Sequence, residues 1–429
     1  MADGMNMLGI KHILESDPAR RYVVVSAPGK RYSADIKITD LLYQTLDDVK
    51  EGGHVGEAYA KVCDRFRGIV HELALDFDIE SLLKETAEEI ERECTADFAA
   101  SRGEYLAGRI MAVLLDVPFI EARDVVKFGK DGRLDNERTY TLLRAALKGK
   151  RRAVVAGFYG EDAEGRVKTF SRGGSDVSGA IVARAVSADL YENWTDVSGF
   201  LACDPRIVPN PARITSLSYR ELRELSYMGA NVLHSESIFP VREGDIPIQI
   251  KNTFRPEDEG TLILPLSKYH PGSRAVTGIA GKRNFTVIHL EKSLMNAEIG
   301  FAYRILEVLN RHHVSFEHMP SGIDTMSFVI DSEQLKHGVL DTIEEEIKAA
   351  VHPDNMKVFG DIALIAVVGH GMSSTIGISA RLFSAIARTG VNVRMIDQGS
   401  SELNIIVGVD NADYERSLRA VYEEFFRKN

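Results

Sequence analysis

Short β-branched runs in the first part of the chain alternate with longer segments in which apolar residues recur every three or four positions. The runs are RYVVVSAPG at 21–29 and RRAVVAGFYG at 151–160, and helical spacing covers 56–74 and 93–115. Continuous apolar runs indicate strands that are buried on both faces, as in parallel sheets. Strands that alternate with helices therefore predict an α/β/α sandwich with a largely parallel sheet over residues 1–270.

The last third of the chain repeats itself. A polar stretch over 265–278 is typical of a linker, and residues 300–331 then match 377–408. Each copy contains a glycine, a helix, a strand, a glycine turn and a second strand. One such unit is too small to bury its sheet alone, so the copies should pack together. The matched positions are Gly300 and Gly377, Arg304 and Arg381, Arg311 and Arg388, Val314 and Val391, and Gly322 and Gly399.

This repeat is similar to paired ACT domains, the ferredoxin-like βαββαβ modules that sense amino acids. The similarity implies one module over 275–360 and a second over 361–429. One module of such a pair is inserted inside the other. This leaves an alternative in which Arg283–Leu290 completes the second module rather than the first.

Composition narrows the class of protein. The net charge of −11 and the pI near 5.6 provide no general footprint for nucleic acid or acidic membranes. The longest apolar run, at 362–369, is far too short to cross a bilayer. Three widely separated cysteines indicate neither a disulfide framework nor a zinc site. Because the N-terminal residues lack the apolar core of a signal peptide, we expect a cytoplasmic globular protein.

The stretch TFSRGGSDVSG at 169–179 places a cation, two glycines and a carboxylate at the start of a predicted helix. Gly173 and Gly174 allow a ligand to approach the backbone closely. Ser175 is the predicted N-cap, so that the first N–H groups of the helix face an anion. Arg172 offers a planar fork for a carboxylate or phosphate, and Asp176 follows it. An ordinary strand-to-helix turn is the alternative interpretation.

Other segments carry polar or aromatic side chains in similar places. Ser26 ends the first predicted strand, and Thr39 is a predicted N-cap in KITDLLY. Ser101 and Glu104 have the spacing of a capping box. Phe158 lies on the second buried strand, before a glycine hairpin. The segment WTDVSGF…DPR adds Thr195, Asp196 and Arg206.

In order and sequence, these motifs resemble the aspartate kinases of the amino-acid kinase family. With the ACT-like pair, the resemblance covers the chain from Met1 to Asn429. It implies transfer of the γ-phosphoryl group of ATP, bound with Mg²⁺, to the β-carboxylate of L-aspartate. Since this reaction brings a carboxylate up to a polyphosphate, cations and backbone N–H groups must absorb the charge.

The resemblance also implies roles for individual residues. Arg172 would grip the substrate carboxylate, Glu104 would face its ammonium group, and Asp176 would organise the cations of the transfer centre. The alternative for Glu104 is a capping partner of Ser101. The other residues that would shape the substrate pocket are Ser26, Thr39, Phe158 and Ser175.

On the nucleotide side, the resemblance assigns Thr195 and Asp196 to the nucleotide and Arg206 to the phosphates. Two positions depart from relatives: Leu201 replaces an aromatic residue that some have, and Asn231 replaces a lysine. No dedicated metal site is expected, because the histidines lack metal-ligand spacing.

The family begins with a strand and a Lys-Phe-Gly-Gly turn, whereas this sequence begins in what resembles the following helix. The similar VVKFGKDG at 125–132 has one glycine near its lysine and predicts a strand leading into an exposed turn. We therefore expect poor catalysis from the chain as it stands. The absence of this first segment would be explained by a start codon assigned too far downstream, or by a truncated relative that acts as an amino-acid sensor. A kinase for another amino acid, such as glutamate, is a further alternative.

For regulation, we expect the ACT-like pair to bind lysine as a feedback effector and to form a homodimer or higher homo-oligomer. Glycines near the predicted helix start expose N–H groups for a carboxylate, and nearby acids can neutralise two ammonium groups. Threonine, alone or with lysine, is the alternative effector. The predicted effector residues are Met295, Glu298, Gly300, Phe301, Glu317, Ser321, Gly322 and Asp324.

Overall fold

The computed structural model describes residues 1–171, 173–230, 233, 237–272 and 274–427. The chain separates into two compact units. The first comprises Met1–Gly199 and Val232–Tyr269, and the second comprises Phe200–Asn231 and His270–Asn429. Residues 200–231 thus group with the C-terminal unit although they lie inside the predicted 1–270 domain. Among the described helices, none is both long and apolar enough to span a membrane.

Helices and short strands are interspersed along the first 270 residues. The helices are α1 Gly4–Glu15, α2 Ile38–Gly52, α3 Glu57–Glu72, α4 Ile79–Glu93, α5 Ala96–Leu115, α6 Ala122–Val125, α7 Asn136–Leu147, α8 Gly174–Ala185, α9 Tyr219–Tyr227 and α10 Ile238–Glu243. The strands are β1 Tyr22–Val25, β2 Phe119–Ile120, β3 Ala153–Ala156, β4 Tyr159–Glu161, β5 Val167–Thr169, β6 Tyr191–Thr195, β7 Ser216–Ser218, β8 Ile248–Asn252 and β9 Thr261–Leu264. Of these elements, β7 and α9 belong to the second unit.

The strand pairs of the first unit are mostly parallel, which confirms the predicted fold class. Strand β3 lies between β1 and β2 and is parallel to both, with Val23 beside Val154. Strand β6 pairs in parallel with β8, while β8–β9 and the hairpin β4–β5 are antiparallel. All four residues of β3 are buried, as expected for a strand that is covered on both faces.

Two apolar clusters cover the β1–β3–β2 sheet. One includes Phe66 and Phe98 from the helices α3 and α5, and the other includes Leu143 and Ile181 from α7 and α8. Burying one such side chain contributes about 1.5–3 kcal/mol to stability. The two clusters therefore stabilise the strands that carry the polar residues at their ends.

The second unit contains one antiparallel sheet with four helices that follow the sequence repeat. Its helices are α11 Phe301–Arg311, α12 Val339–Val351, α13 Ile378–Arg388 and α14 Tyr414–Tyr422. Its strands are β10 Gly278–Glu291, β11 Thr325–Asp331, β12 Asn355–Val368, β13 Met395–Asp397 and β14 Asn404–Asp410, in the order β11-β10-β12-β14-β13. Helices α11 and α13 each have 11 residues. Each follows a glycine in the left-handed conformation, Gly300 at φ 78° and Gly377 at φ 89°.

The long strand β10 serves both repeats. Its end, Phe285–Glu291, pairs with β11 of the first repeat. Its beginning, Gly278–Lys282, pairs with residues 364–368 of β12, which also pair with β14 of the second repeat. The part of β10 that lies beside the strands of the second repeat therefore precedes Arg283–Leu290, the segment of the alternative assignment. The domain limits themselves stay predictions.

Three local predictions are wrong in detail. Helix α2 begins at Ile38 after the N-cap Lys37, so Thr39 lies in the first turn rather than at the cap. Helix α8 is capped by Gly173 in the left-handed conformation, and Ser175 lies one residue inside the helix. In both cases the observed N-cap lies two residues before the residue whose side chain is favoured as an N-cap. The predicted strand over 125–132 is reduced to bridging residues at 127 and 128.

Candidate active site

The carboxyl ends of β1 and β3 meet the start of α8. Ser26 follows β1 directly, and Gly157 follows β3 and donates its N–H to the Val25 carbonyl oxygen at 3.1 Å. A Cβ on Gly157 would lie 2.6 Å from that oxygen and 3.1 Å from Ser175 Oγ. The glycine therefore lets Ser175 approach the strand ends closely. This junction gathers three of the segments that the sequence singled out.

Phe158 lies in a turn between β3 and β4 rather than on a strand. Its backbone is left-handed, at φ 79°, and its N–H donates to Ser178 Oγ at 2.9 Å. Ser178 in turn donates to the Gly174 carbonyl oxygen at 2.9 Å. A Cβ on Gly174 would lie 3.1 Å from Phe158 Cα and closer still to its ring. Phe158 is thus held against the first turn of α8.

Asp176 is oriented by two residues of β6 that sequence reasoning missed. Its carboxylate accepts a hydrogen bond from Asn193 Nδ2 at 2.8 Å. The Tyr191 hydroxyl donates to the Asp176 carbonyl oxygen and accepts from Asn193 Nδ2, both at 3.1 Å. The side chains at 191, 193 and 195 lie on one face of the strand. Thr195, a predicted site residue, was therefore the signal that could have indicated Tyr191 and Asn193.

Glu104 is buried in the middle of α5, and its interpretation as a capping residue is wrong. The helix begins at Ala96 with Thr95 as its N-cap, and the Ser101 hydroxyl donates instead to the Phe98 carbonyl oxygen. Because α5 starts earlier than expected, both members of the proposed capping box lie inside it.

The environment of Glu104 suits a charged ligand. Burial raises the pKa of this carboxyl to about 8, although it accepts a hydrogen bond from the Ala27 backbone N–H. Its Oε2 atom has no hydrogen-bond partner in the described part of the chain. The neighbouring Gly103 permits this approach, since a Cβ there would lie 2.7 Å from Ala27 Cβ and 3.3 Å from Ile38 Cγ2. Thr39 follows Ile38, so the start of α2 also borders this point.

The nucleotide-side predictions fall into both units. Thr195 ends β6, and the exposed Asp196 follows it, with its carbonyl oxygen 3.4 Å from Asn252 Nδ2 of β8. Leu201 and Arg206 belong to the second unit, where Arg206 pairs with Asp204 at 2.7 Å. The structure therefore brings Thr195 and Asp196 to the carboxyl ends of β6 and β8.

A groove of about 390 Å³ lies beside the end of β1 and the start of α8 within the first unit. Ser26, Ser175, Asp176 and Asn193 line it, together with parts of β1 and β6. Among the described residues, β1 pairs only with β3 and β6 only with β8, so each has an open edge.

The predicted effector residues occupy different environments. Met295 and Phe301 are buried in the apolar core of the first repeat. Glu298 already pairs with Lys292 at 2.7 Å and with Arg304. Its carboxylate is therefore occupied by two cations.

The remaining effector residues lie nearer the surface. Asp324 accepts the Leu294 N–H at 2.9 Å, and Glu317 is half-buried. Gly300, Ser321 and Gly322 are exposed. Two further residues of the predicted sites, Arg172 and Asn231, lie outside the described residues.

Comparisons with known proteins identify the family of the chain. The chain matches the amino acid kinase family over residues 10–252 and the ACT domain over residues 365–425. Aspartokinase 3 of Bacillus subtilis is 36% identical in an alignment of 440 residues, gaps included. The alignment covers 99% of this chain and 96% of that protein.

Solved structures show the same fold. The aspartate kinase of Clostridium acetobutylicum has a TM-score of 0.94 and 50% identity, covering 99% of this chain and 97% of that one. Aspartokinase III of E. coli, in complex with aspartate and ADP, has a TM-score of 0.76 over the same shares at 24% identity, which supports the fold alone. By its sequence and by its fold, the chain belongs to the aspartokinases of the amino acid kinase family.

Proposed function

We propose that this aspartokinase phosphorylates the β-carboxylate of L-aspartate at the junction of β1, β3, β6 and α8. The observation that carries the assignment of the site is the convergence of Ser26, Phe158 and Ser175 at the carboxyl ends of the parallel strands. Ligands of open α/β sheets bind at this edge. Glu104 adds a buried carboxylate beside the same strand ends.

The aspartate pocket needs a partner for the ammonium group of the substrate and for one of its carboxylates. Glu104 receives the ammonium group through its unpartnered Oε2 atom. Arg172 holds a substrate carboxylate by paired hydrogen bonds. Ser26, Thr39 and Ser175 supply hydroxyl groups, and the Phe158 ring closes one wall.

Phosphoryl transfer at this site depends on positioning and electrostatics. The first N–H groups of α8 carry partial positive charge and face the junction, where they stabilise the developing negative charge. Asn193 holds the Asp176 carboxylate in one orientation, ready to align a cationic group beside the transferring phosphoryl.

The nucleotide occupies the neighbouring strand ends. Thr195 and Asp196 lie at the end of β6, and the exposed Asp196 carboxylate fits a cation bound to phosphates. Mg²⁺ bound with ATP would neutralise charge on the phosphate oxygens. It takes few ligands from a protein, so one carboxylate at this place suffices for the fit.

The test of this function is direct. The purified chain is incubated with ATP, Mg²⁺ and hydroxylamine, and acyl phosphate is trapped as hydroxamate with aspartate or glutamate as acceptor. Aspartyl hydroxamate formation that is lost in Asp176→Asn supports the proposal. Preference for glutamate would indicate another amino acid kinase, and binding of aspartate without hydroxamate would indicate a sensor.

The KM for aspartate is expected to fall as the pH rises from 6 to 8. Glu104 must lose its proton to face the ammonium group, and its pKa near 8 leaves it mostly protonated at pH 6. Each pH unit below 8 should therefore raise the KM by up to about tenfold. Steady-state kinetics across this range measure the slope. In Glu104→Gln the slope should vanish, and equal slopes in both proteins would exclude Glu104 as the titrating group.

We also propose that lysine binds to the first ACT-like repeat and inhibits the enzyme. Glu317 and Asp324 lie on either side of the exposed glycine turn in the sequence, and both can face an ammonium group. Glu298 contributes only after it releases Lys292 or Arg304. Threonine remains the alternative effector.

Lysine binding should weaken at least tenfold in Glu317→Gln, because one ammonium group loses its counter-charge. Titration calorimetry on the full chain measures this affinity. Glu333→Gln is the control, since Glu333 is an exposed acid of the same unit that pairs with Lys336 at 2.7 Å. Heat from threonine but not from lysine would favour the alternative effector, and heat from neither would contradict the site.

A further inference from the structure

A buried ion pair joins the loop between β1 and α2, residues 26–37, to helix α3. Arg65 Nη2 lies 2.6 Å from Asp35 Oδ2, and the two side chains are only 4% and 8% exposed. Arg65 belongs to α3, whose neighbouring residue Phe66 is part of the apolar core. The pair therefore joins an irregular loop to a rigid helix.

Asp35 gathers further donors from the loop itself. Arg31 donates its backbone N–H and its Nε to Asp35 Oδ2, both at 2.9 Å, and its Nη2 to Oδ1 at 3.1 Å. Arg65 also donates Nη1 to the Gly29 carbonyl oxygen at 2.9 Å. The Arg31 guanidinium, with Arg65 beside it, holds the pKa of Asp35 well below its usual range. The carboxylate is thus ionised and accepts hydrogen bonds from both arginines.

Such a pair constrains the loop strongly. Charges that are removed from water are tolerated only while their partners stay in place. The segment from 26 to 37 has no regular secondary structure of its own, so its path depends on these contacts. Loss of the Arg65 contacts would free the loop at Gly29 and at Asp35.

Both ends of the loop border the candidate aspartate pocket. Ser26 begins it, the Ala27 N–H donates to the Glu104 carboxylate, and Thr39 lies just beyond its end in α2. A shift of the loop would therefore move three contacts of the pocket at once. Small displacements of positioning groups have large kinetic effects.

We propose that Arg65 and Asp35 are positioning residues for aspartate, which act by fixing the β1–α2 loop against α3. This proposal rests on the proposed function, because it takes the pocket beside Ser26 and Glu104 as the aspartate site. Neither residue touches the substrate. Their contribution is to preform one wall of its pocket.

The experiment compares Arg65→Lys and Asp35→Asn in the full chain with the wild type. We expect the KM for aspartate to rise at least tenfold in each variant, while the KM for ATP changes less than twofold. A lysine keeps the charge but cannot reach both Asp35 and the Gly29 carbonyl oxygen. Arg67→Lys is the matched control, because Arg67 lies on the same helix and pairs at the surface with Glu80 at 2.7 Å. It should leave every constant unchanged.

A role in stability alone would have a different signature. In that case the variants would have a lower melting temperature and, because a smaller fraction is folded, a lower apparent kcat, while the KM for aspartate would be unchanged. This result would overturn the proposal. If Asp35→Asn does not fold, Arg31→Ala removes donors from a partly exposed side chain. We expect it to raise the KM for aspartate about threefold, and no rise would likewise count against the proposal.

Ser26→Ala and Thr39→Ala separate this proposal from the function on which it rests. If both leave the KM for aspartate unchanged, the proposed pocket is wrong and this inference falls with it. If they raise the KM but Arg65→Lys and Asp35→Asn do not, the pocket stands and only the positioning role is wrong. A rise in all four supports both.

Discussion

Gly174→Ala is expected to lower kcat/KM for aspartate about 100-fold, because a methyl group has no room at this position. The new Cβ would lie 3.1 Å from Phe158 Cα and 3.2 Å from its carbonyl oxygen, both backbone atoms that cannot rotate away. Ser178 ties the Phe158 N–H to the same turn, so the whole wall of the pocket must shift. Overpacking of this kind lowers the free energy of unfolding by about 1–3 kcal/mol.

Steady-state kinetics and thermal unfolding measure the two effects of Gly174→Ala. The matched control is Gly68→Ala in the interior of α3, where a Cβ meets nothing within 4 Å. That variant should keep its kinetics and gain roughly 0.5–1 kcal/mol of stability from helix propensity. Unchanged kinetics in Gly174→Ala would show that the position of Phe158 is not critical.

The strands and helices were predictable because their signals are local. The β-branched runs around Val23 and Val154 became buried parallel strands, and apolar spacing located α3 and α5. Helix starts were less predictable. The helix cap depends on backbone conformation, as at Gly173, where a left-handed residue takes the place expected for the Ser175 side chain.

The repeat was visible in sequence, but its strand sharing was not. Matching Gly300 with Gly377 located two equivalent helices. The single long strand β10, by contrast, pairs with β12 at both of its ends and with β11 only at its second end. Such pairing depends on contacts between distant segments, which have no local signal in one sequence.

The candidate site shows the same division. Ser26 and Phe158 could be brought together because the carboxyl ends of parallel strands meet at one edge of the sheet. The contact of Asp35 with Arg65 spans 30 residues and joins a loop to a helix, so no spacing rule indicates it. Burial of Glu104 likewise results from packing of α5 against Ala27, which the sequence could not define.

Arg172→Lys is expected to lower kcat/KM for aspartate, although the charge is kept. The loss corresponds to on the order of 2–4 kcal/mol of transition-state stabilisation. A guanidinium offers two parallel N–H donors in a plane, which matches a carboxylate, whereas an ammonium group provides a single point charge. Arg172 lies outside the described residues, and its place in the sequence between Ser171 and the left-handed Gly173 supports the assignment. The KM for ATP should change little, because the nucleotide residues Thr195 and Asp196 lie on another segment.

Kinetics with aspartate and ATP varied separately check this expectation. Arg166→Lys is the control, since Arg166 lies in the same polypeptide segment but pairs at the surface with Asp162 at 3.0 Å. That exposed pair contributes little, so its replacement should leave both KM values unchanged. If Arg172→Lys also leaves the KM and kcat for aspartate unchanged, Arg172 does not hold the substrate carboxylate. The partner of that carboxylate must then be sought among the backbone N–H groups at the start of α8, where Gly173 and Gly174 allow close approach.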